Sequence, residues 1–169
     1  MDATELRAMQ APIKERYRDD PAAGLVTLKA RGALDDAGIA CKVETGRAIA
    51  LAGLHPATGG SGLELCSGDM LLEALVACAG VTLKAVSTAL EISLRGATVS
   101  AEGDLDFRGT LGVDKEAPVG FAEIRLRFDV DTDAGQDKLD QLLKLTERYC
   151  VVYQTIRNGP KVDVALMRA

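Results

Sequence analysis

The sequence contains no tryptophan and few other aromatic residues, with three tyrosines, three phenylalanines and a single histidine among 169 residues. Its core must therefore be built from aliphatic side chains, which the hydrophobic fraction of 47% can supply. The chain also lacks an excess of positive charge, since its net charge is −5, so we expect no nucleic-acid partner. The length and the ordinary composition fit one globular domain.

The cysteines lack the close spacing that structural zinc sites use, since none of the four lies within a Cys-x2-Cys pair (Cys41, Cys66, Cys78, Cys150). We therefore expect no metal. The only histidine, His55, lies in a loop rich in Gly and Pro, without an evident acidic partner. We expect it to be solvated, and this argues against a histidine-activated nucleophile.

The N-terminus has no apolar segment of the kind that an export signal requires. On this basis we expect a cytoplasmic, reducing location for the protein. In such a compartment, cysteines more often carry out redox or metal chemistry than form permanent disulfides.

Residues 69–90 have the composition of one long helix with Cys78 near its middle. Apolar residues occur on every side of it, which predicts a helix buried on most faces. Asp69 at the start suits the positive end of the helix dipole. The segment is as long as a membrane span, but Glu73 and Lys84 would each cost about 2.5–3.5 kcal/mol near the centre of a bilayer. We interpret it as a core helix and expect no membrane association.

The remaining segments predict an α+β fold, because strand and helix patterns alternate along the chain. Residues 1–22 are expected to form an N-terminal helical arm, which Pro12 either divides into two short pieces or kinks, and residues 23–169 one domain. A restart or extension of helix is expected at 151–156. Strands are predicted at 25–31, 39–44, 47–51, 98–107, 122–131 and 161–167, and a second helix at 138–149.

Two segments of the chain resemble the OsmC/Ohr family of thiol-dependent hydroperoxide reductases. Asp69-Met-Leu-Leu-Glu-Ala-Leu-Val-Ala-Cys78-Ala-Gly-Val-Thr resembles the central helix of that family, and Thr146-Glu-Arg-Tyr-Cys150-Val-Val-Tyr-Gln-Thr resembles its second cysteine segment. The resemblance covers residues 25–169. It implies an OsmC-like fold with antiparallel sheets wrapped around a long buried central helix. It also implies an intertwined homodimer with active sites at the subunit interface.

The function implied by the resemblance is a peroxidase for organic, lipid-type hydroperoxides with an antioxidant role in stress. Cys78 would attack the terminal peroxide oxygen as a thiolate and become a sulfenic acid. Cys150 would then condense with Cys78 to a disulfide. An external thiol or dithiol reductant would restore the pair by exchange, and no cofactor is required.

The resemblance also implies a charged pair beside the attacking thiolate, because an apolar setting alone would raise the pKa of the thiol. Arg31 is the preferred match for the arginine, with Arg47 as the alternative. The acidic residue is Asp69 or Glu73. The chain departs from the family pattern in having no proline before the central helix and in having Val151 directly after Cys150.

Two other functions stay open at this point. One alternative hypothesis is a non-catalytic dimer that binds a small apolar ligand, with its cysteines as core residues. The other is a thiol redox sensor without turnover. Cys41 and Cys66 are interpreted as structural in each case.

Overall fold

The computed structural model describes residues 3–34, 41–43, 53–63 and 66–168. In chain order its elements are α1 (Ala3–Asp19), β1 (Leu25–Leu34), β2 (Cys41–Val43), α2 (Ser67–Ala89), β3 (Gly96–Asp106), α3 (Phe107–Thr110), β4 (Phe121–Asp131), α4 (Gln136–Tyr149) and α5 (Val151–Asn158). The predicted strand at 47–51 lies outside the described residues.

The strands form one antiparallel sheet in the order β2-β1-β3-β4. β4 has strict alternation, and its apolar residues Ile124, Leu126, Phe128 and Val130 pack against the core while charged residues alternate with them. This alternation predicts an antiparallel strand with one face on the core and the other face in water. The predicted α+β class and the strands at 25–31, 98–107 and 122–131 are confirmed, with bounds that differ by up to three residues.

Helix α2 has one buried side, which packs against β1, β3, α4 and α5. The opposite side is open, since Leu71 is 41% and Val81 is 38% exposed. The expectation that most faces of this helix are buried is therefore wrong for a single chain. α2 is long and apolar enough to cross a membrane by length and composition, but its contacts are those of a core helix.

Helix α1 is continuous over 17 residues, so it is not divided into two short pieces at Pro12. A proline inside a helix removes one backbone hydrogen bond, and a helix tolerates this when its other contacts hold it in place. Tyr17 provides such a contact, because its side chain is fully buried and its hydroxyl donates to the carbonyl of Ala57 at 2.6 Å. This arm therefore packs on the body of its own chain.

Helices α4 and α5 follow one another with a single residue between them. Cys150 ends α4 and caps the start of α5, with an extended backbone at φ −72° and ψ 105°. The predicted restart of helix at 151–156 is confirmed. The junction turns the chain so that both helices contact α2.

The prediction of a strand at 161–167 is wrong, because the chain after α5 forms no strand within the described residues. Val162, Val164 and Leu166 keep the alternating pattern but are almost fully exposed. Such a pattern needs a neighbouring strand for its hydrogen bonds and an apolar face to cover, and none of the described strands of this chain pairs with it.

Replacement of Tyr17 by Phe tests how α1 is held. It removes the donor to the Ala57 carbonyl, and we expect a loss of about 1–3 kcal/mol in the free energy of unfolding. Urea titration measures this. Tyr149→Phe is the control, since Tyr149 is exposed and its replacement should change stability by less than about 0.5 kcal/mol. Equal stabilities of the two variants would contradict the role given to the Tyr17 hydroxyl.

Candidate thiol site

The structure brings together two thiols that are far apart in sequence. Cys78 lies in the middle of α2, and Cys150 lies at the junction of α4 and α5, both of which pack on α2. The two side chains are neighbours, close enough for Cys78 to influence the pKa of Cys150. Both cysteines are free thiols in this structure. The contact between these two predicted site residues depends on the helix packing.

The two thiols have different exposures. Cys150 is only 1% exposed, whereas Cys78 is half-buried on the edge of the open side of α2. A dissolved oxidant therefore has access to Cys78 before it has access to Cys150. The geometry distinguishes an approachable thiol from a shielded one.

Burial raises the pKa of Cys150 to about 11. The backbone N–H groups of Tyr153 and Val152, at the start of α5, oppose this rise, and the N–H of Tyr153 lies 3.5 Å from the Cys150 Sγ. The neighbouring Cys78 thiol raises the pKa of Cys150 further. Cys150 is therefore a protonated thiol at neutral pH, and a thiol in that form is a poor nucleophile.

A groove of about 830 Å³ is lined by residues of β4 and of α2, α4 and α5, the helices that carry or adjoin the two cysteines. Leu75, one helical turn before Cys78, lines it, and so does Tyr153, whose N–H points at Cys150. Most of its other lining residues are apolar, among them Phe121, Ile124, Leu126, Phe128, Leu139 and Ile156. Such a groove fits an apolar small molecule.

The predicted acidic residue, Asp69, interacts with His55. Burial raises the pKa of Asp69, and His55 opposes the rise. Asp69 precedes Cys78 by nine residues, so the two lie on opposite faces of α2 at about 100° per residue and roughly 13 Å apart along its axis. Any influence of Asp69 on Cys78 must pass through another group.

His55 is packed, so the expectation of a solvated histidine without an acidic neighbour is wrong. Its ring stacks on Phe107 with centroids 4.9 Å apart, and its Nδ1 accepts from the N–H of Ala57 at 3.0 Å. Burial lowers the pKa of His55, with Asp69 acting in the opposite direction. His55 is therefore a neutral residue that caps the short turn at Pro56–Thr58.

Arg31 lies on β1 opposite Ser100, and β1 packs against α2. Arg47 lies outside the described residues. Glu73 follows Asp69 on α2, and burial raises its pKa, with a further contribution from Asp69. The structure brings neither Asp69 nor Glu73 to the face of α2 that carries Cys78, because Glu73 also lies about 140° away from it.

Cys66 lies twelve residues before Cys78, at the other end of the first half of α2. Cys66 directly precedes α2, where its carbonyl accepts from the N–H of Met70, and Cys41 begins β2. Over the described ranges, no group of three or more His, Cys, Asp or Glu side chains is arranged to hold a metal ion.

Sequence reasoning missed one residue of this site, Thr146. It is 1% exposed, and its Oγ1 has no hydrogen-bond partner. The sequence contained one clue to this residue. Its hydroxyl interrupts the apolar stripe that runs from Leu142 to Cys150 on α4.

The α+β fold agrees with the comparisons. The family model for OsmC-like proteins matches residues 60–165, which is more than half of the chain. The chain therefore belongs to the OsmC-like protein family. No curated protein sequence matches it.

Two solved structures share the fold at 12% sequence identity. An OsmC-like hydroperoxide resistance protein from Jannaschia sp. superposes with a TM-score of 0.64, over 86% of this chain and 95% of that chain. An OsmC-like protein from Mycoplasma pneumoniae has a TM-score of 0.55, over 80% of this chain and 86% of that chain. Each likeness concerns the fold.

Labelling with a thiol-specific alkylating reagent tests the contrast between the two thiols. At pH 7–8 we expect Cys78 to react well before Cys150, because Cys150 is buried and its pKa is about 11. Mass spectrometry of peptides from timed samples measures both rates. Protein unfolded in urea is the control and should label at similar rates at the two positions. Equal rates in the folded protein would contradict the shielding of Cys150.

Proposed function

We propose that this protein is a thiol-dependent peroxidase that reduces organic hydroperoxides. The observation that carries the proposal is the contact between the approachable Cys78 and the shielded, protonated Cys150. A peroxidase of this kind needs a thiol that meets the oxidant and a second thiol in reach of the first. The proposed role of the protein is protection against oxidants in a reducing compartment such as the cytoplasm.

In the first step the Cys78 thiolate attacks the terminal oxygen of the hydroperoxide. An S–O bond forms, the O–O bond breaks, and the departing alkoxide takes up a proton and leaves as an alcohol. Cys78 is oxidised to a sulfenic acid and the hydroperoxide is reduced. The half-buried position of Cys78 on an apolar helix, whose Leu75 lines the apolar groove, supports organic rather than small polar substrates.

In the second step Cys150 attacks the sulfur of the Cys78 sulfenic acid. A disulfide forms and the sulfenic oxygen leaves as water, taking the proton that Cys150 loses. The proximity of the two side chains supports this step, because a disulfide forms only between cysteines whose backbones lie close together. An external thiol or dithiol reductant regenerates the pair by exchange.

A cation beside Cys78 would favour its thiolate, and we propose Arg31 for this role. The packing of β1 against α2 supports it. Asp69 lies on the opposite face of α2 from Cys78, so it cannot act on the thiol directly. Its proposed role is to orient that arginine. Arg47 and Glu73 are the alternatives for the two positions.

We propose further that two copies of the chain form a homodimer through the open side of α2. That side carries small and medium apolar residues at helical spacing, namely Leu71, Ala74, Val81 and Ala85, with Cys78 among them. An exposed apolar stripe of this kind marks an interface. A second copy would bury it and enclose the Cys78 thiol.

The decisive experiment counts free thiols after reduced protein meets stoichiometric cumene hydroperoxide. The wild type should lose two thiols per chain quickly. Cys150→Ser should give a sulfenic acid at Cys78 that a carbon nucleophile traps, and Cys78→Ser should react no faster than free cysteine. Oxidation of the wild type no faster than free cysteine would reject the peroxidase. Fast oxidation of Cys78→Ser would assign the attack to another thiol.

The same assay separates the two arginines. Arg31→Gln should slow the first step by about tenfold or more, because it removes the charge that stabilises the thiolate, whereas Arg47→Gln should leave the rate near that of wild type. The reverse result would transfer the role to Arg47. Asp69→Asn and Glu73→Gln distinguish the two carboxyl groups in the same way.

The dimer is tested by Val81→Glu, which places a charge in the middle of the open side of α2. Sedimentation equilibrium should show a dimer for the wild type and a monomer for the variant, because burying an unpaired carboxylate is costly. Val119→Glu is the matched control, since Val119 is exposed in the loop before β4. A dimer that survives Val81→Glu would place the interface elsewhere.

A second function, binding of an apolar ligand without turnover, is favoured by the groove of about 830 Å³. It predicts saturable binding of a fatty acid by protein whose thiols do not respond to hydroperoxide. The thiol count decides between the two functions, because only the peroxidase consumes oxidant repeatedly when a dithiol reductant is present.

A further inference from the structure

The hydroxyl of Thr146 is the one buried side-chain polar atom in the described part of the chain that has no hydrogen-bond partner. The comparable hydroxyls nearby are satisfied by the helix backbone. Ser87 donates to the carbonyl of Lys84 at 2.9 Å, and Thr82 donates to the carbonyl of Cys78 at 2.7 Å. Thr146 makes no such bond, although it lies in a helix that offers one.

An unpaired buried hydroxyl destabilises a fold, because it has lost its hydrogen bonds to water and gained none. Valine has nearly the same shape and would avoid this loss at the same position. Native structures contain few such groups, and each requires an explanation, for example a role in catalysis or a partner that is bound only during function. The Thr146 hydroxyl is therefore free to bind an oxygen that is present for part of a reaction.

The position of Thr146 connects it to the thiol pair. It precedes Cys150 by one helical turn, and the N–H of Cys150 donates to the Thr146 carbonyl at 2.9 Å. Residues four apart in a helix lie on the same face, so Thr146 faces α2 together with Leu142 and Cys150. The hydroxyl is thus sealed in the interface between the helices that carry the two cysteines.

We propose that Thr146 is a positioning residue whose hydroxyl donates a hydrogen bond to the oxygen of the Cys78 sulfenic acid. This inference rests on the proposed peroxidase function and assigns a group to its second step. The oxygen concerned is the terminal oxygen of the hydroperoxide, which stays on Cys78 after the alcohol has left.

Closure of the disulfide explains why such a donor is needed. The Cys150 sulfur attacks the Cys78 sulfur, the S–O bond breaks, and the oxygen leaves as water with the proton of Cys150. Negative charge grows on that oxygen as the bond breaks, in surroundings with few other polar groups. A fixed hydroxyl stabilises this charge and turns the sulfenic oxygen away from the approaching Cys150.

The test compares the rates of two steps in Thr146→Val, Thr146→Ser and wild type. Trapping in a Cys150→Ser background gives the rate of sulfenic acid formation, and acid-quenched thiol counting gives the rate of disulfide closure. We expect Thr146→Val to lower the ratio of closure to formation by about tenfold, as for the loss of one hydrogen bond in a transition state. Thr146→Ser should restore the ratio, and excess hydroperoxide should over-oxidise Cys78 more in the Val variant.

Thr82→Val is the matched control, because it removes a hydroxyl one turn from Cys78 that is already bonded to the backbone. Its ratio should equal that of the wild type. The melting temperature provides an independent readout, since Thr146→Val should match or exceed the wild type if the hydroxyl is unpaired at rest.

Three outcomes would overturn the inference. An unchanged ratio in Thr146→Val would show that the hydroxyl has no part in closure. A low ratio of closure to formation in Thr146→Ser would show that the shape of the side chain matters and not its hydroxyl. A clearly lower melting temperature of Thr146→Val would show that the hydroxyl already has a partner. Failure of the peroxidase proposal is distinct from all three, because wild-type protein would then not lose its thiols to hydroperoxide.

Discussion

The packing of α2 against the junction of α4 and α5 determines the chemistry of this protein. It brings Cys78 and Cys150 into contact, shields Cys150 from water, and seals the Thr146 hydroxyl beside them. The same apolar contacts that stabilise the fold therefore keep one thiol protonated and leave the other at the edge of the core. Exposure assigns different properties to two chemically identical side chains.

A single chain leaves a large part of its apolar surface uncovered. The open side of α2, the groove beside β4 and the alternating residues after α5 are all in contact with solvent. A chain of this size buries a smaller fraction of its surface than a larger one. Association with a second copy buries more of that apolar surface. The proposed dimer would explain why α2 is apolar on every side although one chain covers only half of it.

Elements with strong periodicity were predictable from the sequence. The alternation in β4 and the apolar stripe of α4 are local patterns, and both elements form where they were expected. The strand at 161–167 has an equally clear alternation but no partner strand to pair with among those described. His55 was misjudged because its stacking partner, Phe107, lies about fifty residues away in the chain. Contacts of this kind leave no local signal.

The sequence by itself determined the fold class, the family resemblance and the two cysteines as candidates, because each depends on residue types at fixed spacings. Only the tertiary structure decided that the two thiols are neighbours, that Cys150 keeps its proton and that Thr146 lacks a partner. It also put Asp69 beside His55 and away from Cys78. Burial and pKa depend on which distant segments surround a group, and those neighbours are established only when the helices pack.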